Sequence, residues 1–387
     1  MPIWKKFFNP EGNMKKGLFI VTKDLNESGT SDSGVCKKIH QQFSVFRERY
    51  NIELAEAYFK RNNIRKLLSR IPLFPNMFSV RGLDFDYKGL DFIYFRYDWG
   101  DLQTLLFLHK VKAMNPKCQV ILELPTYPLD LDKLVTKWHQ KSFKYKHILW
   151  SRFIKNYVDR AVVFGRDEYA YGIPTIQTSN GIDTSSMKVK KSTEYSNSEI
   201  HLISVSNMIK WHGIDRVIEG IHNYKKSGIE SRRIYLHLIG KGREELYLHT
   251  LVEKYNLEKE VFFYGYKFDD ELQAMYDHAD IGIEALGVHR NKVMLVSSSL
   301  KSREYFAKGL PFISECRFTD ECKAVSRYIL TVPADESPID MEEIILFYDR
   351  CYKGRVPGTT EAKLNDFAKE NLDIKKVMEP VFKYIDQ

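Results

Sequence analysis

The stretch SLKSREYFAKGLPFI, Ser299 to Ile313, decides how this chain reads. Three serines (Ser297, Ser298, Ser299) open a helical pattern, Gly309 and Pro311 close it, and the apolar pair Phe312–Ile313 starts a strand at once. A helix that passes directly into an apolar strand is a repeating piece of an α/β sheet. One feature is unusual. The first turn suits an anion, because a helix N-terminus presents unpaired N–H groups and Lys301 adds a charge. Glu304 nevertheless stands one turn further in.

Working outward, the same alternation fills the chain. GLFIVT (17–22), DFIYFRY (91–97), QVILEL (119–124), RAVVFG (160–165) and TIQTS (175–179) read as strands. Helical patterns near 35–50, 101–114 and 131–156 lie between them. The small and polar segment NGIDTSSMKVKKSTEYSNSEI, from Asn180, reads as a linker, after which the alternation restarts. HLISVS (201–206), IYLHLIG (234–240), VFFYGY (261–266), DIGIEAL (280–286) and PFISE (311–315) are the strands of this second half. The expectation is α/β: two Rossmann-like, doubly wound parallel-sheet domains, 1–185 and 186–369, with a C-terminal helix near 370–387 packing back on the first. Ligands of such sheets bind outside the carboxyl ends of the strands, so two facing sheets would place a site in the cleft between them.

At 387 residues, with 43% hydrophobic and 28% charged, the balance is that of a soluble globular protein of two domains. No apolar run is long enough to span a membrane, and the first residues lack a signal-peptide core, so a cytoplasmic chain is expected. Five scattered cysteines (Cys36, Cys118, Cys316, Cys322, Cys351) indicate free thiols and support neither zinc nor a disulfide framework. LIGKGREE lacks the third glycine of a dinucleotide fingerprint, and no Walker lysine, HExxH or GxSxG is present. The net charge of +8 is spread evenly except over Lys137–Lys155, KWHQKSFKYKHILWSRFIK, where six cations and no acid interleave with aromatic and aliphatic residues. That segment is either a solvated helix face or a surface for anionic lipid; no nucleic-acid motif accompanies it.

Read in order, four motifs resemble the GT-B glycosyltransferases of the retaining group known as glycosyltransferase family 4. NGID (180–183) is similar to the family's interdomain NG(V/I)D, and SVSNMIKWHGIDRVIEGI (204–221) to the element that opens its second domain. LIGKGREE (238–245) resembles the GxGPE turn, and SLKSREYFAKGLPFI the KxxExxAxGxPvI segment. The resemblance implies a retaining, metal-independent transferase that uses a UDP- or GDP-sugar, needs no cofactor, and acts on a glycan or polyprenyl-linked acceptor of cell-surface polysaccharide. It implies a peripheral place on the inner face of the membrane when Lys137–Lys155 docks there.

The resemblance assigns Glu304 to the ribose hydroxyls and Lys301, Ser299 and Ser298 to the diphosphate. Lys210, Asn207, His212, Arg290, Gly240, Tyr266 and Gly34 complete the expected donor site. Glu123, Thr126, Tyr127 and Arg96, at strand ends of the first half, are the expected catalytic and acceptor-side residues. Two departures stand out. Val296 occupies the place of the first glutamate of E-x7-E, in a lengthened loop that also carries His289 and Lys292. Asn207 and His212 stand where the family often has an arginine and a lysine. The rival readings are a nucleotide-sugar epimerase or hydrolase of the same fold, and a non-catalytic glycan- or nucleotide-binding subunit.

Overall fold

The computed structural model describes residues 14–22, 25, 34–57, 67–68, 71, 86–97, 100–127, 141–229, 231–291, 299–315 and 320–387. Two compact units emerge: Met1–Ser179 with Val377–Gln387, and Asn180–Lys376. The division falls after Ser179 rather than after 185, and the chain returns to the first unit at Val377 rather than at 370. The physical reason is backbone pairing. Ile182 and Asp373 bridge in parallel, and Ile182 N–H donates to the Leu372 carbonyl at 2.9 Å, so the NGID segment is tied into the second unit.

Among the described residues, the first unit holds a seven-stranded sheet in the order β2-β1-β3-β4-β5-β7-β6. Its strands are β1 (Lys16–Val21), β2 (Asn51–Glu56), β3 (Phe92–Arg96), β4 (Gln119–Leu124), β5 (Arg160–Val163), β6 (Tyr169–Ala170) and β7 (Ile173–Gln177). All neighbours pair in parallel except β6 and β7. The central strands are continuous apolar runs because helices cover both faces of a parallel sheet. The edge strand β2, NIELAE, escapes sequence reading because polar residues interrupt its apolar ones and Glu53 stays exposed. Helix Gly34–Arg49 lays Phe46 against Phe19 and Tyr94 of the sheet, with ring centroids 5.4 and 4.7 Å away. The returning helix Ile374–Asp386 sets Phe382 edge-on to Phe46 at 5.1 Å, and Arg49 pairs with Glu379 and Asp386. Those contacts account for its last residues belonging to the first unit.

The second unit is a six-stranded, all-parallel sheet in the order β10-β9-β8-β11-β12-β13. Its strands are β8 (Glu199–Val205), β9 (Arg233–Ile239), β10 (Val261–Phe263), β11 (Ile281–Ile283), β12 (Phe312–Ser314) and β13 (Ile329–Thr331). This is the doubly wound order that reverses direction between the first strand and the fourth, here between β8 and β11. Its crevice therefore opens past Val205 and Ile283. In the first unit the corresponding reversal lies between β1 and β3, past Val21 and Arg96. Cys36, Cys118, Cys322 and Cys351 are buried free thiols, and Cys316 lies outside the described residues.

Candidate functional site

The crevice of the second unit is built from three segments. The loop after β8 ends in the short helix Lys210–His212 and turns at Gly213, whose φ of 62° is left-handed. The loop after β11 runs from Glu284 into the short helix Val288–Asn291. The two loops pair through backbone bonds: Leu286 N–H donates to the His212 carbonyl at 3.1 Å, and Gly287 N–H to that of Trp211 at 3.2 Å. A Cβ on Gly213 would lie 2.4 Å from the Leu286 carbonyl carbon, so only glycine permits this approach. The third segment is helix Leu300–Lys308, capped by Ser299, whose hydroxyl accepts from Ser302 N–H at 3.1 Å.

Lys301 is half-buried and donates to the Glu284 carbonyl at 2.6 Å. Burial pulls its ammonium down to about 8, against the opposing charges of Glu284 and Glu304. It stands at the positive end of a helix dipole. Glu304, one turn on, is also half-buried, and its Oε1 accepts from the Tyr276 hydroxyl at 3.0 Å. Tyr276 is fully buried, and burial together with the Glu304 charge pushes its phenol well above the ordinary range. It therefore stays a donor and fixes where Glu304 points.

His212 differs from the expectation. Its Nδ1 lies against the Asn207 carbonyl, which can only accept, so Nδ1 carries the proton and Nε2 a lone pair. Burial and the neighbouring Lys301 charge depress its pKa to about 2. A neutral imidazole with an open Nε2 suits a hydroxyl donor, not a phosphate. Asn207 is exposed and serves through its carbonyl, while Lys210 is exposed beside it. Gly240, with φ of 112°, closes the end of β9; a Cβ there would meet the Ser206 carbonyl oxygen at 2.2 Å. Tyr266 is exposed and stacks on Phe268 at 6.3 Å. Ser298, Lys292 and Val296 lie outside the described residues.

Arg290 is engaged by carboxylates. Its guanidinium donates to both Asp215 oxygens at 2.9 and 2.8 Å, to both oxygens of Glu336, and to the Lys210 carbonyl at 3.0 Å. Those bonds occupy the fork that a phosphate would need. His289 is fixed likewise, between Glu315 at 2.8 Å and Glu336 at 2.9 Å. The buried Glu315 also accepts from the backbone of Val288 and His289. Residues 288–290 are thus clamped by carboxylates that sequence reading passed over. A glutamate ending an apolar strand, as in PFISE, was the available signal.

In the first unit the expected residues separate into two groups. Glu123 is wholly buried and paired in register with Arg96 across β3 and β4. Its carboxylate takes an ion pair from Arg96, hydrogen bonds from Tyr94 (2.7 Å) and Gln42 (2.8 Å), and the charge of Lys38 at 3.8 Å. Burial alone would raise its pKa, but Arg96 and Lys38 with those bonds outweigh it and hold the carboxyl below the usual range. Lys38, desolvated and lying 3.6 Å over the Phe164 ring, falls to about 8. Glu123 and Arg96 are thus each other's partners inside a buried cluster with Tyr94, Gln42 and Lys38. Thr126 is exposed, Tyr127 packs edge-on to Tyr171 at 5.3 Å, and Gly34 begins the first helix at the reversal past β1.

Within helix Lys141–Ile154 the exposed face is narrower than the sequence suggested. Tyr145, Leu149 and Phe153 are 64%, 43% and 44% exposed, one helical turn apart, beside Lys141, Arg152 and Lys155. Lys146 instead points inward, where burial lowers it to about 8 despite the pull of Asp101. His147 accepts from Gly100 N–H at 3.1 Å and meets the Tyr171 hydroxyl at 2.9 Å. Residues 137–140 lie outside the described residues. Among the described residues, no helix is long and apolar enough to cross a membrane.

Residues 186–284 match the family described as "Glycosyl transferases group 1". An 82-residue stretch is 34% identical to the putative colanic acid biosynthesis glycosyltransferase WcaL of Escherichia coli K12, covering 21% of this chain. The chain spans about a fifth of the length of that curated relative, 20%. Among solved structures, sucrose-phosphate synthase from Thermosynechococcus elongatus superposes with a TM-score of 0.62 at 14% identity, over 96% of this chain and 99% of that one. Anabaena HepE, solved in complex with UDP, gives 0.55 at 12% identity, over 96% and 100%. Residues 186–284 thus carry a match to glycosyl transferases group 1, within a chain whose two parallel-sheet units have the GT-B fold.

Proposed function

We propose that the chain transfers a sugar from a UDP- or GDP-sugar, with retention of configuration and without a metal in the reaction, to a glycan or polyprenyl-linked acceptor of cell-surface polysaccharide. The observation that carries the reading is the pairing of Lys301 and Glu304 on the first two turns of one helix, beside the reversal of a six-stranded sheet. A leaving diphosphate is stabilised by the helix end and the Lys301 ammonium, both fixed before the reaction. Glu304, steadied by Tyr276, accepts the ribose hydroxyls, and His212 Nε2 accepts from a sugar hydroxyl. The acceptor hydroxyl attacks from the face the diphosphate leaves, and a donor phosphate oxygen takes its proton. On the first unit, Gly34, Thr126 and Tyr127 remain as acceptor-side groups, since Glu123 and Arg96 are occupied with each other. The colanic acid relative supports the polysaccharide context.

The test is titration with UDP, GDP and ADP, followed by a donor screen by mass spectrometry against lipid-linked oligosaccharides in excess EDTA. One nucleotide binding far more tightly than the others, and a sugar transferred, is the expected result. Release of free sugar without an acceptor product would point to a hydrolase, and no nucleotide binding to a non-catalytic subunit. Loss of turnover restored by magnesium or manganese would remove the metal-independent mechanism.

The acceptor reading extends to the surface of helix Lys141–Ile154. An apolar stripe flanked by three cations suits an anionic membrane, each cation contributing about 1 kcal/mol at low salt. Vesicles of anionic lipid should sediment the wild type, while Tyr145, Leu149 and Phe153 changed together to serine should stay in solution. Equal binding of both proteins would remove this stripe as the docking surface, and a wild type that ignores the vesicles would favour a soluble acceptor.

A further inference from the structure

A group of histidines lies elsewhere in the second unit. His201 is on β8, His237 on β9, and His278 ends helix Asp269–His278, just before β11. Each offers one ring nitrogen, and these atoms all lie within 4.8 Å of one another. His201 and His278 belong to the amino-end side of β8 and β11, whereas Lys301 and Glu284 lie past the carboxyl end of β11.

We propose that His201, His237 and His278 bind a borderline divalent transition-metal ion of the Zn2+ class. His201 Nδ1 and His237 Nε2 are 3.0 Å apart. An ion with Zn–N bonds of about 2.0–2.1 Å in a tetrahedron holds its nitrogens about 3.3 Å apart, so the pair needs to open by only a few tenths of an ångström. His278 is exposed at a helix end and is free to supply the third bond.

The outer nitrogens make the stronger argument. His237 Nδ1 lies 3.0 Å from the Tyr264 hydroxyl, and His201 Nε2 lies 3.6 Å from a Glu199 oxygen. With the Nδ1 proton of His237 donated to Tyr264, its Nε2 keeps a lone pair for the ion. The proton His201 shares with His237 in the metal-free state moves to His201 Nε2, facing Glu199, and frees Nδ1. Two of the three imidazoles thus have an oxygen facing the far nitrogen, Tyr264 within hydrogen-bond distance and Glu199 within ion-pair distance, as metal-binding histidines commonly do. Asp280 Oδ2 accepts from His201 N–H at 2.8 Å and so fixes the backbone that carries the first ligand.

Three imidazoles leave one position for water. The ion would join two strands to the end of the helix that carries Tyr276, the partner of Glu304. This site is independent of the sugar-transfer reading, and its test needs no nucleotide. Untagged full-length chain, stripped with chelator, is equilibrated with Zn2+, and Co2+ is used for the visible spectrum. One Zn2+ per chain, a tetrahedral Co2+ spectrum and a raised melting temperature are expected. His278→Ala, at an exposed position, should weaken Zn2+ at least tenfold with an unchanged circular dichroism spectrum. Glu199→Gln should weaken it several-fold through the outer nitrogen. A wild type that takes up no Zn2+ at micromolar free metal overturns the proposal, as does His278→Ala or His278→Gln binding as tightly as wild type.

Discussion

Two glutamates, one in each unit, stand near the crevice of a doubly wound sheet, and they have opposite fates. Glu123 is the last but one residue of β4, wholly buried, with two cations, a phenol and an amide closing around it. Glu304 is on a helix, half-buried, with Tyr276 holding one oxygen. A strand inside a parallel sheet is covered by helices on both faces, so a charged side chain there must be neutralised by neighbours. A residue in the first turns of a helix that begins past the strand ends stays within reach of a ligand. A carboxylate near a strand end is therefore consumed by its neighbours when the strand carries it and keeps its exposure when a helix beyond the strand does.

The largest effect is expected from Glu123→Gln. Removing the anion strands Arg96 and Lys38 in the core, and losing one partner of a buried pair costs about 3–5 kcal/mol. Urea denaturation should show that loss, and any fall in activity should track the unfolded fraction. A folded Glu123→Gln protein of normal stability but no turnover would return Glu123 to the reaction. The same pair fixes a pH sign. Because the Glu123 carboxyl is held below its usual range, its stabilisation is full at neutral pH and disappears as pH falls through that depressed value.

Glu304→Gln is expected to do the reverse. Charge-assisted bonds to ribose hydroxyls are worth roughly 1.5–3 kcal/mol each, so turnover should fall about ten- to a hundred-fold while the urea midpoint stays put. Unchanged kinetics and nucleotide affinity in a folded variant would dissolve the contrast between the two glutamates.

The smallest effect is a titration. Free Lys301 loses its proton near pH 8, and an anionic diphosphate favours the charged form. UDP affinity should therefore decline several-fold as pH rises from 7 to 9. In Lys301→Gln it should be weaker and flat over the same range. A wild-type profile as flat as the variant's would mean that the helix end alone answers the diphosphate.

The alternation of apolar runs and helical patterns was enough to define two parallel-sheet units, because each strand and helix announces itself through local periodicity. The segment around Glu304 was legible for the same reason: cap, lysine, glutamate and glycine stop all fall within fifteen residues, Ser299 to Ile313. Side-chain commitments were not. Arg290 reads as a free cation until Asp215 and Glu336, distant in sequence, are brought to it. Lys146 reads as a surface charge until the helix is rotated against Asp101. His201, His237 and His278 have no spacing that signals a ligand set, since they come from two strands and a helix end that meet only when the sheet forms. Local order is written in near neighbours along the chain, whereas partnership between charges and ligands depends on long-range closure, which only the tertiary structure decided.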